Sequence, residues 1–429
     1  MSLVATDLQC NQDRPRQPAY LAAGAVTVRS NHRWKVLGIG VAANASFSAT
    51  FAGIPAAAVF LRSGYHLSNG NLGLVLGLLG LGVALSELPW GLLTDRWGDR
   101  GVLLTGLGAT SAWLVLMALF IVPSATHVPG VAMLAAFLLV TGLLGGSVNG
   151  SSGRAIMAWF GEGERGFAMS IRQTAVPLGG GIGALVLPSL ASVHGFAAVF
   201  GLLAAVNAVS ALFAWRWLHQ PPEIDRTGST AAPAGPAPLR NVEVWRIATA
   251  IGLLCFPQVA VLTFASVFLH DFAGMGTLTI SASLAAVQTG AMVMRVWSGR
   301  YTDRHGNRRW FLRLCSMTSA LGFAALGLLV LAAGATPGSH AAPAIAVLLV
   351  VAGISVSAWH GVAYTELATL AGASRAGTAL GLANSFVFIA FFVVPTAIPA
   401  LLLVWSWPGV WLVGAFCALI AWPILLRPN

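Results

Sequence analysis

Five ionisable side chains sit inside otherwise apolar stretches of this sequence: Glu87, Arg154, Arg172, Arg295 and Glu366. An ionised group in an apolar medium is costly, so each marks a place where a partner, a proton or a ligand must compensate it. Arg172 opens the run Arg172-Gln173-Thr174-Ala175-Val176-Pro177-Leu178-Gly179-Gly180-Gly181, where proline and glycines permit a bent, closely packed helix. A guanidinium held there needs an acceptor. A carboxylate ligand supplies one through two parallel hydrogen bonds; an ion pair with Glu366 or another acid is the alternative. Glu87 and Arg295 are 208 residues apart and read as the inward end of a gate network. Arg154 and Glu366, near the ends of their runs, each read as part of a gate salt bridge, with substrate contact the alternative.

Further polar side chains fall where they can face a cavity. They are Asn44 and Ser48 in the first apolar run, Asn149 in the fourth, Gln258 in the seventh, Gln288 in the eighth, His360 and Tyr364 in the tenth, and Asn384 in the eleventh. Phe47, Phe51 and Phe264 offer apolar walls. Each polar group taken singly also fits a helix-packing hydrogen bond. His360 is of a type that relays protons.

The elements that must position these groups are membrane helices. The 429-residue chain is 57% hydrophobic and 8% charged, against about 25% charged in soluble domains. Twelve runs reach the roughly 20 apolar residues that a spanning helix needs: residues 36–61, 70–93, 101–123, 129–160, 165–190, 195–218, 242–269, 277–300, 309–334, 342–370, 376–403 and 405–426. The net charge of +10 comes almost wholly from arginine, with Lys35 the only lysine. Arg96, Arg100, Arg165, Arg226, Arg240, Arg304, Arg308 and Arg375 fall in alternate short loops, and the opposite loops offer Arg62. That asymmetry places both termini in the cytoplasm and is not a nucleic-acid face. Residues 1–33 lack an apolar signal-peptide core and read as a cytoplasmic tail. Residues 219–241 carry five prolines and read as a semi-extended linker. They divide the chain into six-helix bundles over 34–218 and 242–426, with a short tail over 427–429.

The halves share a charged turn. Gly91-Leu92-Leu93-Thr94-Asp95-Arg96-Trp97-Gly98-Asp99-Arg100 returns as Gly299-Arg300-Tyr301-Thr302-Asp303-Arg304-His305-Gly306-Asn307-Arg308. Gly150, Gly166 and Gln173 fall opposite Gly361, Gly377 and Asn384 at an offset of 211. Gly91 and Gly299 remove a side chain where helices approach. Gly98 and Gly306 permit a tight reversal. Asp95 and Asp303 can accept hydrogen bonds from a neighbouring helix N-terminus or pair with arginine.

This turn resembles the cytoplasmic loop signature of the major facilitator superfamily, G-x-L-x-D-R-x-G-R-R/K. The first copy keeps Gly91, Leu93, Asp95, Arg96, Gly98 and Arg100, with Asp99 where the family favours arginine. The second keeps Gly299, Asp303, Arg304, Gly306 and Arg308, with Tyr301 at a position usually small or aliphatic. The resemblance covers residues 34–426. It implies an all-α membrane protein of twelve transmembrane helices in two pseudo-symmetric bundles that rock about a site lined by helices 1, 4, 7 and 10. It implies that both charged turns act in gating. It also makes helices 5 and 8 neighbours, so that Arg295 becomes the second anion contact beside Arg172. The family's antiporter motif on helix 5, G-P-x-x-G-G, is not met by Ala175-Val176-Pro177-Leu178-Gly179-Gly180.

The expectation is a secondary transporter in the inner membrane, not an enzyme, working by alternating access on a small solute. Helix 1 carries no acid with which to hold a cation, which favours anionic or neutral cargo. Proton-coupled uptake of a small organic anion, a carboxylate, is the leading reading, and proton-coupled efflux of hydrophobic compounds is the alternative. A sensor or membrane enzyme finds no clustered nucleophile or metal set to support it. The expected partners are the substrate, protons and the lipid bilayer, with the chain acting as a monomer. No cofactor is expected. Gly161-Glu162-Gly163-Glu164-Arg165-Gly166 fits G-x-G-x-x-G, but no strand precedes it and its glutamates repel phosphate. Cys10, Cys255, Cys315 and Cys417 show no Cys-x-x-Cys spacing, so neither zinc nor a disulfide framework is suggested.

Overall fold

The computed structural model describes residues 19–124, 126–219, 237–334 and 341–426. Most of the expected linker at 219–241, the first part of the expected 1–33 tail and the tail at 427–429 lie outside the described residues. Those described are helical, with no strand among them. The helices are α1 (Ala19–Ala56), α2 (Ala58–Gly64), α3 (Asn69–Trp97), α4 (Asp99–Phe120), α5 (Val131–Gly145), α6 (Ser147–Trp159), α7 (Arg165–Trp217), α8 (Val242–Val267), α9 (Thr277–His305), α10 (Arg308–Ala333), α11 (Ala341–Ser355), α12 (His360–Ala371) and α13 (Ala376–Ile424).

Two of these helices are too long for one crossing. α7 has 53 residues and α13 has 49. At about 1.5 Å per residue they run to roughly 80 and 74 Å, more than twice a hydrocarbon core of about 30 Å. Each is therefore two passes, and each turns at a single residue in the left-handed region. Those residues are Gly195 (φ 72°, ψ −177°) and Ser406 (φ 53°, ψ −165°). They are 211 residues apart, the offset already seen in the paired glycines. Twelve passes result: α1, α3, α4, α5 with α6, α7 twice, α8, α9, α10, α11 with α12, and α13 twice. α9 is the most polar of them, because Arg295, Arg300, Asp303 and Arg304 share its 29 residues.

Passes four and ten, expected as single helices, are broken at equivalent places. Pass four is interrupted at Gly146, between α5 and α6, and pass ten unwinds between Ser355 and His360. Gly146 and Ser357 are again 211 apart. A Cβ at Gly146 would lie 2.3 Å from Ser86 Oγ, and one at Gly145 would lie 3.1 Å from Phe47. Pass four thus breaks where it is pressed against its neighbours. In pass ten the carbonyls freed by unwinding are taken by α9 side chains: Ser298 Oγ donates to Ala358 O at 3.0 Å and Arg295 Nε to Ser357 O at 3.0 Å. α1 also differs from expectation. It starts at Ala19 instead of residue 36, because no proline after Pro18 stops an Ala- and Val-rich segment from extending the helix.

Within the halves, α1 packs on α7 and α3 on α5, while α8 and α10 pack on α13. The halves meet along two seams, α3 against α13 and α7 against α9. Phe47 and Phe51 add an aromatic contact across the interface with Phe388 and Phe391; Phe264 packs instead on the second half's core.

The backbone at Ser406 is of a kind that only glycine adopts without strain, at a cost of about 1–3 kcal/mol. Ser406→Gly is expected to raise the thermal midpoint of the detergent-solubilised protein, and Gly195→Ser to lower it.

Candidate functional site

α7 and α13 begin without caps of their own. Glu164 and Arg375 occupy the N-cap positions, and neither side chain bonds its helix there. The caps come from the opposite half. Asp303, near the end of α9, accepts from Gly166 N at 3.0 Å and Phe167 N at 2.8 Å. Asp95, near the end of α3, accepts from Gly377 N at 2.9 Å, Thr378 N at 2.8 Å and Thr378 Oγ1 at 2.5 Å. These amides lie in the first turn of their helices, where no helical carbonyl can reach them. A side-chain cap is worth about 1 kcal/mol, and a carboxylate at the positive end of a helix gains further from the dipole.

Glycines bring the helices close enough for this. A Cβ at Gly91 would lie 2.4 Å from Gly377 O, and one at Gly299 would lie 2.4 Å from Gly166 O. Gly98 (φ 84°) and Gly306 (φ 64°) make the tight reversals that follow. Arginines then hold the carboxylates. Arg154 reaches Asp95 at 3.5 Å and Asp99 at 2.8 Å. Arg308 reaches Asp303 at 3.2 Å and donates across the interface to Glu162 O at 3.1 Å. Arg100 is used within its own half, donating to Trp215 O at 2.9 Å, and Arg96 and Arg304 are exposed. Glu366 does not bridge the halves and does not meet Arg172. It accepts from Arg309 Nε at 2.9 Å, and Arg309 also reaches Glu243 at 2.6 Å, a ladder that ties α12, α10 and α8 together inside the second half.

About 12 Å deeper along α3, at 1.5 Å per residue, a second polar layer is buried. Asn149 Nδ2 donates to Glu87 Oε1 at 2.5 Å. Arg172 donates from Nη2 to Asn149 O at 2.6 Å and from Nε to Ser152 Oγ at 2.9 Å, and its Nη1 lies 3.7 Å from Met169 Sδ. Asn44 Nδ2 donates to the same Ser152 Oγ at 3.0 Å. From the second half, Tyr364 OH donates to Asn384 Oδ1 at 2.6 Å. Asn384 approaches Glu87, yet Glu87 Oε2 is left without a partner. Arg295 crosses the other seam. Its Nη1 donates to Gln173 O at 2.9 Å and its Nε to Ser357 O. Gln258 Nε2 donates to Ser357 Oγ at 3.3 Å, and His360 Nδ1 lies 3.2 Å from Ser357 O.

Glu87, Arg172 and Arg295 are 0%, 2% and 4% exposed. Neither arginine is bonded to a carboxylate; their acceptors are carbonyls, a hydroxyl and a thioether. Arginine does not deprotonate in proteins, so this layer holds two fixed positive charges and one carboxyl group. Of the residues expected to bind substrate, Asn44, Asn149, Arg172, Gln258, Arg295, His360, Tyr364 and Asn384 are brought together here, with Gln173 beside Arg172. Gln288 is not among them; it is half-buried on α9. Ser48 is spent on packing, donating to Val176 O at 2.6 Å. Sequence reasoning missed Ser152, Ser357 and Trp359. Trp359 is fully buried with its indole nitrogen unpartnered, and it stacks on His360 at 3.8 Å. Serines set inside the apolar runs of passes four and ten were the available signal.

A twelve-pass chain with two trans-capped seams and a buried charged layer can be compared with known families. Residues 37–326 match the family model of the Major Facilitator Superfamily. The chain belongs to that superfamily, and it is a multi-pass membrane transporter. It is 30% identical over 401 residues to an uncharacterized MFS-type transporter of Mycobacterium tuberculosis, covering 92% of this chain and 84% of that one. It is 32% identical over 166 residues to a glycerol-3-phosphate transporter of Haemophilus influenzae, about a third of each chain at 34%. The solved structure of the proton:xylose symporter XylE superposes with a TM-score of 0.75 at 16% identity, covering 92% of this chain and 95% of that one. That likeness speaks to the fold.

The glycine contacts make a clear prediction for the transporter. Gly299→Val places a side chain against the Gly166 backbone, which cannot move aside cheaply. In a background freed of the native cysteines, Gln173→Cys, at a position buried in this structure, is expected to react several-fold faster with maleimide when Gly299→Val is present.

Proposed function

We propose that this transporter carries a small organic anion, a carboxylate, inward together with protons, and that the two charged turns gate its cytoplasmic side. The observation that carries the reading is the pair of buried guanidiniums, Arg172 and Arg295, lacking any carboxylate partner beside a buried acid with a free oxygen. Buried charge without a counter-charge is costly. An anion seated between the arginines supplies that counter-charge through charge-assisted hydrogen bonds. The partial similarity to a glycerol-3-phosphate transporter supports an anionic class of cargo.

Glu87 is the proposed proton site. Its protonation raises the net charge of the layer by one and so favours the anion. By linkage the bound anion favours the proton to the same degree. The sign follows directly: binding strengthens as Glu87 takes up its proton and weakens as it loses it. Asn44, Asn149, Gln258, His360, Tyr364 and Asn384 form the polar lining that orients the rest of the molecule. Arginine placement puts the latched end in the cytoplasm. The structure is thus read as closed towards the cytoplasm, with Asp95, Asp303, Arg154 and Arg308 holding it.

Uptake into proteoliposomes under an inward proton gradient tests this with a panel of radiolabelled carboxylates. Wild type is expected to accumulate at least one of them. Arg172→Ala is expected to lower its uptake about a hundredfold or more, as loss of a charge-assisted bidentate contact of about 3 kcal/mol implies. Glu87→Gln is expected to lose gradient-driven accumulation while keeping exchange of preloaded anion. No accumulation of any carboxylate, or an Arg172→Ala protein that transports at the wild-type rate, overturns the proposal. Protection of a sensitive host against hydrophobic compounds would instead favour efflux.

A further inference from the structure

The two seams are built to one plan with one chemical exception. Each has a carboxylate capping a helix of the other half, Asp95 on α13 and Asp303 on α7. Each has a glycine contact directly above, Gly91 on Gly377 and Gly299 on Gly166. Each then has an ionisable side chain at the deeper end, facing residues that are themselves equivalent, Asn384 and Gln173. On α3 that side chain is Glu87, and on α9 it is Arg295. The plan repeats, and the charge is reversed.

We propose that the seams are two separate locks, the α3/α13 seam released by the proton and the α7/α9 seam by the anion. This rests on the reading of Glu87 as proton site and of the arginines as anion site. At the first seam, Gly381 packs directly on the Glu87 backbone, where a Cβ would lie 2.4 Å from Glu87 O. The groups facing the Glu87 carboxylate are Asn149 on α6, Arg172 on α7 and Asn384 on α13, with Tyr364 of α12 behind Asn384. None is a second acid or a histidine. Taking up a proton from solvent converts the carboxylate to a neutral acid and removes the negative charge that α3 presents where Gly381 of α13 packs on it. At the second seam, Arg295 is tied to the other half by one bond to a neutral backbone carbonyl, Gln173 O at 2.9 Å. A carboxylate competes well for that guanidinium, because charge-assisted hydrogen bonds are about twice as strong as neutral ones. Engaging the anion therefore draws Arg295 off Gln173. One ligand alone leaves one lock closed, so neither a lone proton nor a lone anion opens the cytoplasmic side. Coupling is then a property of the interface, and the reversed charge of one repeated position is what supplies it.

The latch bonds are backbone amides, so hydrogen exchange reads each lock directly. Gly377 and Thr378 report the first, and Gly166 and Phe167 the second. All four lie in first turns, where helical bonding gives no protection of its own. At fixed pH and without substrate, Glu87→Gln is expected to speed exchange at Gly377 and Thr378 about tenfold and to leave Gly166 and Phe167 unchanged. Arg295→Gln is expected to do the reverse. Taking the wild type from about pH 9 to about pH 5, corrected for intrinsic exchange, is expected to reproduce the Glu87→Gln pattern, and the same step in Glu87→Gln to add nothing at Gly377 and Thr378, which separates Glu87 from the Asp95 cap of those amides. Mid-helix amides of α4 and α10 identify a variant that has unfolded, in which case the acidified wild type decides. Equal acceleration at both seams, or acceleration at neither, overturns the proposal. No anion enters this measurement, so it fails or succeeds independently of the uptake assay.

Discussion

The structure depends on helix caps supplied in trans. A helix begins with four amides that it cannot satisfy itself, and at Gly166, Gly377 and Thr378 burial against the other half keeps water from doing so. α7 and α13, the two longest helices, both begin with residues that do not cap them. Asp303 and Asp95 complete them from the opposite half. Assembly of the halves and completion of the helices are therefore one event. Each cap is worth about 1 kcal/mol, so the two together contribute a modest share of what holds the halves against each other.

Everything around the caps serves that distance. Gly91, Gly166, Gly299 and Gly377 lie where any side chain would force the backbones apart. Gly98 and Gly306 turn the chain away directly afterwards, in conformations open to glycine. Arg154 and Arg308 hold the carboxylates in place, although they come from different parts of the two halves. The repeat thus conserves the position of the carboxylate while varying the source of its counter-charge.

The deeper layer shows how two broken helices are used. Passes four and ten interrupt at Gly146 and around Ser357, equivalent places in the two halves. Such interruptions expose backbone groups at mid-membrane only where protein or a cavity can satisfy them. In pass ten the freed carbonyls hold Arg295 and Ser298. In pass four the side chain and carbonyl of Asn149 serve Glu87 and Arg172 respectively. The charged layer is therefore organised by backbone as much as by side chains.

The sequence by itself determined the class of molecule. Hydropathy fixed twelve crossings, because lipid leaves a chain of this composition no other way to satisfy its amides. The 208 and 211 offsets fixed the two halves, and the charged turn placed glycine and aspartate where they act. The residues of the buried layer stood out because a charged or polar group in an apolar run must find a partner there, and the run alone does not say whether that partner is another helix or a ligand. Partnership was decided by the tertiary structure. Nothing local in the chain shows that Glu366 belongs to Arg309, that Arg154 reaches Asp95, or that Gln288 stands apart. The acceptors of Arg172 and Arg295 are largely backbone carbonyls, which every residue carries and no sequence motif marks. Only the folded interface selects which of them face a guanidinium. The same holds for Ser357 and Trp359, whose importance comes from an unwound turn that the apolar pattern of pass ten conceals.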